Sequence, residues 1–277
     1  MTESIAYLGP AGTFTEEAAR QFNSEEKYFL KSFPSLEKVM AAVERNETTL
    51  GIVPVENSLE GSVNLTFDLL AQDRKIKIKG ELLLRICHTL LAHPGQDLAE
   101  IKEVYSHPQA LAQCRCFLEK ALPDAIIHNM ASTAEAAALV ACSKGKAVLA
   151  SRRVAQIYGL QALVENVQDD NNNITRFLIL ALQDSPPTGN DKTSLLLGLN
   201  DQPGSLFLAL SVFAGNNVNL TKIESRPIRG EPGKYIFFLD IEGHRDDPVI
   251  ADALCKVEKK ALFLKVFGSY PKGILPP

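Results

Sequence analysis

The sequence lacks the features that mark several classes of protein. No apolar run approaches the roughly 18 residues that a membrane-spanning helix needs, so no membrane segment is predicted. Basic residues are not in excess, because 29 lysines and arginines stand against 33 aspartates and glutamates, a formal net charge of −4. Without a global positive field, neither nucleic acid nor an anionic membrane surface is an expected partner. The first residues pass directly into a strand-like run, which predicts no signal peptide.

Cysteine is also scarce, and its five copies are scattered among apolar neighbours. An odd and unpatterned set does not make a disulfide framework, so a reducing cytoplasm is the expected location. The histidines and cysteines show no metal-ligand spacing, since Cys114 and Cys116 lie two apart on a predicted helix and face different sides. A Gly-x-Ser-x-Gly elbow and a Walker-type phosphate loop are both missing. We therefore predict no metal and no acyl-enzyme chemistry.

What is present is the pattern of a two-domain α/β protein. The 277 residues are 45% hydrophobic and 22% charged, which is typical of globular chains of about two domains. Strand-like and helix-like segments alternate through the first part of the chain, which predicts a mainly parallel sheet covered on both faces. The predicted strands cover residues 4–8, 50–55, 75–79, 81–92, 104–106, 126–128, 147–150 and 178–182. The predicted helices cover residues 15–22, 35–45 and 152–158, with two more ending near 121 and 142.

A second domain follows a linker. Residues 184–192 are polar and rich in proline and glycine, so we assign the linker to them. The remaining segment, 193–277, has predicted strands at 193–199, 218–224, 235–242 and 261–270 and predicted helices at 204–216 and 248–260. This order is βαββαβ, the split ferredoxin-like arrangement, with 228–233 as the central hairpin turn.

Three capping boxes follow predicted strands. They start at Thr13, Ser106 and Ser132, each with Glu or Gln three residues later. Such boxes commonly do no more than begin helices. Here, however, all three helix N-termini are expected at the carboxyl edge of the sheet, where open α/β sheets bind ligands. Free N–H groups at helix starts favour an anion such as a carboxylate.

Two polar segments also adjoin predicted strands. Residues 54–63 run from a buried strand into a turn with carboxylate, amide and hydroxyl groups, and residues 169–177 lead from Asp and Asn into a strand. Either segment can be an ordinary Asx turn or strand edge. As ligand contacts, Arg176 would clamp a carboxylate bidentately and Thr175 would present a hydroxyl beside it.

These segments resemble the motifs of prephenate dehydratases in the order of that family, over essentially the whole chain. The matching residues are Gly9-Pro10-Ala11-Gly12-Thr13-Phe14-Thr15, Pro54-Val55-Glu56-Asn57-Ser58 with Glu60-Gly61-Ser62-Val63, Ser106-His107-Pro108-Gln109, and Thr175-Arg176-Phe177. The second domain resembles an ACT domain, an amino-acid sensor, and Glu224-Ser225-Arg226-Pro227 matches its phenylalanine-binding signature. With no chorismate mutase segment in front, the resemblance is to the monofunctional form.

The resemblance implies an α/β catalytic domain with the two-lobed fold of type II periplasmic binding proteins. Residues 1–183 would form it, with one lobe of about 1–80 and 160–183 and the other of about 81–159. Prephenate would bind between the lobes and lose carbon dioxide and water to give phenylpyruvate. Aromatisation drives this reaction, so no cofactor is expected.

The resemblance also implies roles for individual residues. Thr175 would donate a hydrogen bond or relay a proton to the leaving hydroxyl, and Glu56 is the other candidate catalytic acid. Arg176 and the capped helix starts would hold the two carboxylates. The remaining predicted substrate-binding residues are Thr13, Asn57, Ser58, Ser106, Gln109, Ser132, Thr133, Asn172 and Phe177.

For the ACT domain, the resemblance implies L-phenylalanine as effector, bound between paired copies in a homodimer or homotetramer through the ACT and catalytic domains. The family's Gly-Ala-Leu-Val motif reads Gly204-Ser205-Leu206-Phe207 here, so Phe207 adds bulk beside the expected pocket. The predicted effector-binding residues are Gly204, Ser205, Leu206, Asn219, Leu220, Glu224 and Ser225. Two alternatives are arogenate dehydratase, which does the same chemistry on the amino counterpart, and a sensor without catalytic activity.

Overall fold

The computed structural model describes residues 3–72, 74–228 and 234–275. Its first sheet has the strand order β2-β1-β3-β11-β5, with the short strand β4 paired to β3. These strands are β1 (Ser4–Leu8), β2 (Phe29–Phe33), β3 (Leu50–Asn57), β4 (Gly61–Ser62), β5 (Lys77–Arg85) and β11 (Ile174–Ala181). The first three are parallel, and β11 runs antiparallel between β3 and β5. Its helices are α1 (Phe14–Phe22), α2 (Leu36–Glu44) and α3 (Asn64–Ala71).

A second sheet has the order β10-β6-β9-β7-β8. Its strands are β6 (Thr89–Ala92), β7 (Glu103–Ser106), β8 (Ile126–Asn129), β9 (Lys146–Ala150) and β10 (Gln161–Val164). The associated helices are α4 (Pro108–Gln113), α5 (Arg115–Ala121), α6 (Thr133–Ala141) and α7 (Arg152–Tyr158), with a 3-10 turn at Leu98–Glu100. Alanines that are almost fully buried pack α6 against this sheet, which has its own apolar core. Each sheet with its helices therefore forms one lobe.

The chain crosses between the lobes twice, but not where the sequence predicted. All of β5 pairs with β11 in the first sheet, whereas β10 pairs with β6 in the second. The first lobe therefore keeps the chain to Arg85 rather than about 80, and the second keeps it to Val164 rather than about 159. The continuous extended run expected at 81–92 is two strands in different sheets. Hydrophobicity alone did not separate them because both are buried.

The C-terminal part folds as predicted into a βαββαβ domain. It contains β12 (Asp191–Gly198), α8 (Ser205–Gly215), β13 (Leu220–Pro227), β14 (Tyr235–Glu242), α9 (Pro248–Glu258) and β15 (Phe263–Pro271), with the strand order β13-β14-β12-β15. Strand β12 begins inside the predicted linker, because the Asp191 carboxylate closes a turn by accepting from the Thr188 and Gly189 N–H groups. Most of the predicted hairpin turn, 229–233, lies outside the described residues.

The open face of this third sheet packs against the first lobe. One apolar cluster contains Val55, Phe67 and Ile78 of the first lobe together with Phe238 and Phe267 of the βαββαβ domain. The rings of Phe67 and Phe238 meet edge to face at 4.7 Å between centroids. The two domains consequently share a core. Within the described ranges, no helix is both long and apolar enough to cross a membrane.

Candidate active site

A cleft of about 620 Å³ lies between the two lobes. This volume lies in the ordinary range for a small-molecule site. Seven of the predicted site residues line it: Thr13, Asn57, Gln109, Ser132, Thr133, Thr175 and Phe177. They come from both lobes, so the cleft collects motifs that are up to about 160 residues apart in the sequence.

Helix N-termini supply much of the polar surface of the cleft. Thr13 caps α1 by accepting from the Glu16 N–H at 3.3 Å, and Ser132 caps α6 by accepting from the Glu135 N–H at 3.1 Å. Both bonds confirm Thr13 and Ser132 as the predicted N-cap residues. The Glu16 carboxylate also accepts from the Gly12 N–H at 2.6 Å, which fixes the loop before α1. Two capped helices thus begin at the cleft and direct the partial positive charge of their N-termini towards it.

The third predicted cap is wrong. His107, not Ser106, precedes α4, and its Nδ1 accepts from the Gln109 N–H at 3.3 Å. Ser106 is fully buried at the end of β7 and donates to the Leu149 carbonyl at 2.6 Å. Pro108 at the first helical position moves the helix start one residue beyond the expected site. Ser106 therefore joins two strands and does not line the cleft.

The cleft carries little formal charge. Among the described residues that line it there is no lysine or arginine, and Glu60 is the sole carboxylate. A bound anion would accordingly be held by backbone N–H groups, hydroxyls and amides rather than by a guanidinium. Hydrogen bonds of this kind are stronger when the acceptor is ionised.

A chain of side-chain hydrogen bonds runs beside Thr175. Asn57 Nδ2 donates to Thr175 Oγ1 at 2.9 Å and to Asn173 Oδ1 at 2.7 Å. Asn173 Nδ2 donates to Gln113 Oε1 at 3.1 Å, and Gln113 Nε2 donates to Glu60 Oε1 at 3.0 Å. Gln113 belongs to the second lobe, so the chain spans both lobes. Thr175 is an acceptor in this chain, and no described residue accepts its hydroxyl proton.

His88 completes the chain on its other side. Its Nε2 lies 2.9 Å from Gln113 Oε1, which is an acceptor, so Nε2 carries the proton. The ring is 3% exposed, stands edge to face against Phe14, and its Nδ1 has no partner among the described residues. Burial lowers the pKa of His88, although the bond to Gln113 opposes this. His88 is therefore a neutral imidazole with a free acceptor atom at the cleft wall.

Arg176 does not face the cleft, contrary to the prediction that it clamps a carboxylate. Side chains alternate along β11, so Thr175 and Phe177 reach the cleft while Arg176 points to the opposite face. Its Nε lies 2.6 Å from Glu81 Oε2, and its Nη1 lies 2.6 Å from Asp240 Oδ2. Although burial alone would lower the pKa of Arg176, Tyr270, Asp240 and Glu81 raise it above its usual range.

Glu56 is on that opposite face as well. Arg176 pairs with Glu56 across β3 and β11, but Phe177 pairs with Pro54, so Val55 is an extra residue, a β-bulge. The bulge reverses the alternation of side chains along β3. The Asn57 side chain therefore reaches the cleft, while Glu56 Oε1 lies 3.1 Å from Lys222 Nζ. The carboxylate is 39% exposed. The role predicted for Glu56 as an acid in the cleft is therefore contradicted.

Ser58 and Asn172 stand outside the cleft lining. The Ser58 hydroxyl donates to the Asn172 carbonyl at 3.1 Å and accepts from the Ile174 N–H at 3.0 Å. Both residues are exposed. They fasten the turn after β3 to the start of β11 and so support Asn57 and Thr175 from outside.

Several residues of the site were not predicted from the sequence, among them Glu60, His88, Gln113 and Asn173. Gln113 had a recognisable signal, since it lies four residues after Gln109 and therefore on the same face of α4. Glu60 and Asn173 belong to the two polar segments next to predicted strands, residues 54–63 and 169–177. His88 had no such signal, because a lone histidine between strands has no characteristic spacing.

The predicted effector residues are divided over the βαββαβ domain. Gly204 has φ +85° and precedes α8, a left-handed conformation that favours glycine. Leu206 and Leu220 pack against the core of this domain. On β13, Glu224 faces the first lobe while Ser225 is exposed.

Comparison with known proteins agrees with this architecture. The prephenate dehydratase family matches residues 5–185, and the ACT domain family matches residues 193–259. A bifunctional chorismate mutase/prephenate dehydratase of Aquifex aeolicus is 42% identical, over 98% of this chain and 74% of its own length. A prephenate dehydratase of Methanocaldococcus jannaschii is 40% identical, over 98% of this chain and 99% of its own length.

Two solved structures have nearly the same fold. Prephenate dehydratase from Arthrobacter aurescens, in complex with L-Phe, has a TM-score of 0.88 and 34% identity, over 97% of this chain and 90% of that one. A protein described as GqqA, a novel type of quorum quenching acylase, has a TM-score of 0.89 and 32% identity, over 98% of both chains. On the family match and the identity over nearly the full length, this chain belongs to the prephenate dehydratase family and carries an ACT domain.

Proposed function

We propose that this protein is a hydro-lyase that converts prephenate into phenylpyruvate, with loss of carbon dioxide and water. The observation that carries the proposal is the hydroxyl of Thr175. It lies on the cleft wall, accepts from Asn57 and has no acceptor for its own proton among the described residues. The proton is therefore available for the hydroxyl group that leaves the substrate.

The chemistry fits a site without strong charge. Aromatisation of the ring supplies the driving force, so the barrier lies in the departure of the hydroxyl and the carboxylate. A hydrogen bond to the leaving oxygen lowers that barrier as negative charge develops. A threonine hydroxyl is a poor acid, so Thr175 acts as a donor or relay. The starts of α1 and α6 would hold the substrate carboxylates.

Glu60 takes the place of Glu56 as the candidate catalytic carboxylate. It is the carboxylate among the described cleft residues, and Gln113, Asn173 and Asn57 connect it to Thr175. The connecting side chains are amides, which fix orientation but do not shuttle protons readily. Glu60 would thus act on the substrate directly, while the amide chain keeps Thr175 in position.

Turnover of prephenate by Thr175→Ala tests the proposal, with Thr175→Ser as the matched control. Loss of the hydroxyl should lower kcat at least ~100-fold, the range for a positioned proton donor. Serine retains the hydroxyl and should retain most of the activity. Wild-type protein that binds phenylalanine but converts neither prephenate nor arogenate would instead indicate the sensor, and faster turnover of arogenate would indicate arogenate dehydratase.

The same residues give no support for acylase activity. Within the described chain, no serine or threonine hydroxyl is hydrogen-bonded to a histidine, so a nucleophile with an adjacent base is missing from the cleft. The description as an acylase therefore applies to GqqA and is not extended to this protein. Acylase activity measured in this protein would contradict that conclusion.

L-phenylalanine is the proposed effector, bound at the ACT domain near the start of α8 and along β13. An exposed apolar surface supports pairing of two copies there, since Phe207 is 71% exposed and Leu208 and Ile223 are about half exposed. Sedimentation at micromolar concentration should show a dimer or tetramer, and Phe207→Asp should shift it towards monomer. The five cysteines, all free thiols, support the proposed cytoplasmic location.

A further inference from the structure

Strand β13 of the ACT domain contacts the wall of the catalytic cleft. Alternate side chains of β13 face the first lobe, as the pleat of a strand requires. Lys222 Nζ lies 3.1 Å from Glu56 Oε1, and Arg226 Nη2 lies 2.8 Å from Asp68 Oδ1. Between them, Glu224 reaches the short strand β4. One strand of the regulatory domain is thus bonded to the first lobe at three successive inward-facing side chains.

Ser62 is the point where this strand touches the cleft. Its hydroxyl donates to Glu224 Oε2 at 2.8 Å and accepts from Lys222 Nζ at 3.2 Å. Both bonds involve a charged partner, which makes them stronger than bonds between neutral groups. The same residue lines the cleft together with Glu60, Gly61 and Val63. Segment 60–63 therefore forms part of the cleft wall and is hydrogen-bonded to the ACT domain through Ser62.

The other end of segment 60–63 is held by the second lobe. Glu60 accepts from Gln113 Nε2 at 3.0 Å, and Gln113 continues through Asn173 and Asn57 to Thr175. A shift of β13 would move Ser62 and change the position of Glu60, which is linked to the reactive hydroxyl by this chain. No other segment of the described cleft lining makes a hydrogen bond to the ACT domain.

We propose that Glu224 and Lys222 are positioning residues that set segment 60–63 through the Ser62 hydroxyl, and that phenylalanine binding acts on the cleft by displacing these two bonds. The proposal rests on the proposed dehydratase function and its phenylalanine response. Because coupling is reciprocal, prephenate should change the affinity for phenylalanine by the same factor with which phenylalanine changes the affinity for prephenate.

Amide hydrogen exchange of segment 60–63 tests the proposal without relying on turnover. Ser62→Ala and Glu224→Ala should each speed exchange of these amides, including the Val63 N–H that donates to the Val55 carbonyl, by about 10-fold. Glu224→Gln retains an acceptor and should stay within about 3-fold of wild type. Glu258→Gln, an exposed ACT carboxylate on α9, is the control and should match wild type. If the wild type lacks dehydratase activity, this exchange result still decides the structural claim.

Kinetics then test the regulatory claim. Ser62→Ala leaves Glu224 intact and removes the bonds that phenylalanine would displace, so it should bind phenylalanine at least as tightly as wild type while the effect of phenylalanine on the KM for prephenate falls at least about 3-fold. Adding Glu224→Ala to Ser62→Ala should not reduce the effect of phenylalanine on the KM any further, because both substitutions remove the hydrogen bond between Ser62 and Glu224. The proposal is overturned if amide exchange of segment 60–63 is unchanged in both Ser62→Ala and Glu224→Ala. It is also overturned if the two substitutions reduce the phenylalanine effect on KM additively, or if Ser62→Ala retains the full phenylalanine effect.

Discussion

Asn57 donates a hydrogen bond to Thr175 across the antiparallel pair of β3 and β11, with 2.9 Å between Nδ2 and Oγ1. The two residues are direct partners in the strand register, so backbone pairing fixes their separation. Since the Asn57 amide occupies a lone pair of the hydroxyl, the Thr175 proton is left to point into the cleft. The direction of the proposed donor is therefore set by its neighbour.

Replacing Asn57 by aspartate should reverse that direction. A carboxylate cannot donate, so the Thr175 proton would turn towards the new carboxylate and away from the substrate. We expect kcat for prephenate to fall on the order of 100-fold for Asn57→Asp and Asn57→Ala, with a much smaller change in KM. Combination with Thr175→Ala should add little, because the two residues act as a unit. Fully multiplicative losses in the double variant would show that they act separately.

Arg176 should matter for stability rather than for binding of substrate. Its side chain is 11% exposed, and Arg176→Gln would leave Glu81 and Asp240 buried. Lys192 would still pair with Glu81, but Asp240 would lose the one cation that pairs with it among the described residues. Removing one member of such a group costs about 3–5 kcal/mol of unfolding free energy. Denaturant unfolding would measure this loss.

Kinetics of Arg176→Lys provide the contrast. Lysine keeps the charge but cannot donate to Glu81, Asp240 and Tyr270 at once, so stability should fall while the KM for prephenate in the folded fraction stays close to wild type. A KM that rises steeply at unchanged stability would restore the role of Arg176 as a substrate clamp.

Low pH should reduce the stabilisation provided by the ion pairs of Glu81 with Arg176 and Lys192. Burial alone would raise the pKa of Glu81, but Arg176 and Lys192 hold it below the usual value of 4.5. Because the folded pKa is the lower one, the stabilisation is complete above about pH 4.5 and is lost as the pH falls through the folded pKa. Unfolding free energy measured from neutral to acidic pH should fall less steeply for Glu81→Gln than for wild type. Parallel pH profiles would contradict this assignment.

Gly268 lets β15 of the ACT domain lie against β5 of the first lobe. A Cβ at this position would come within 2.1 Å of the Ile78 carbonyl oxygen, and a backbone atom cannot move aside as a side chain can. Gly268→Ala should therefore cost about 1–3 kcal/mol of unfolding free energy. Gly215→Ala is the matched control, because the space around a Cβ there is open and the site lies at the end of α8. The Gly215→Ala variant should be as stable as wild type. Equal stability of both variants would show that the interface between β15 and β5 adjusts to the added methyl group.

The prediction of the fold succeeded where local patterns carry the information. The βαββαβ order, the helix starts at Thr13 and Ser132 and most elements of the two lobes follow from periodicity and capping residues. It failed at β5 and β6, where one apolar run serves two sheets. It also missed β2, whose residues are mostly exposed at the sheet edge and therefore lack a buried strand pattern.

The sequence by itself determined which chemical groups are available and, through its motifs, the family and the two-domain order. Only the tertiary structure decided which way those groups face. The bulge at Val55 sends Asn57 to the cleft and Glu56 to Lys222, and the pleat of β11 separates Thr175 from Arg176. Neighbours in the sequence thus serve different surfaces, because a strand directs successive side chains to opposite faces and one inserted residue exchanges them.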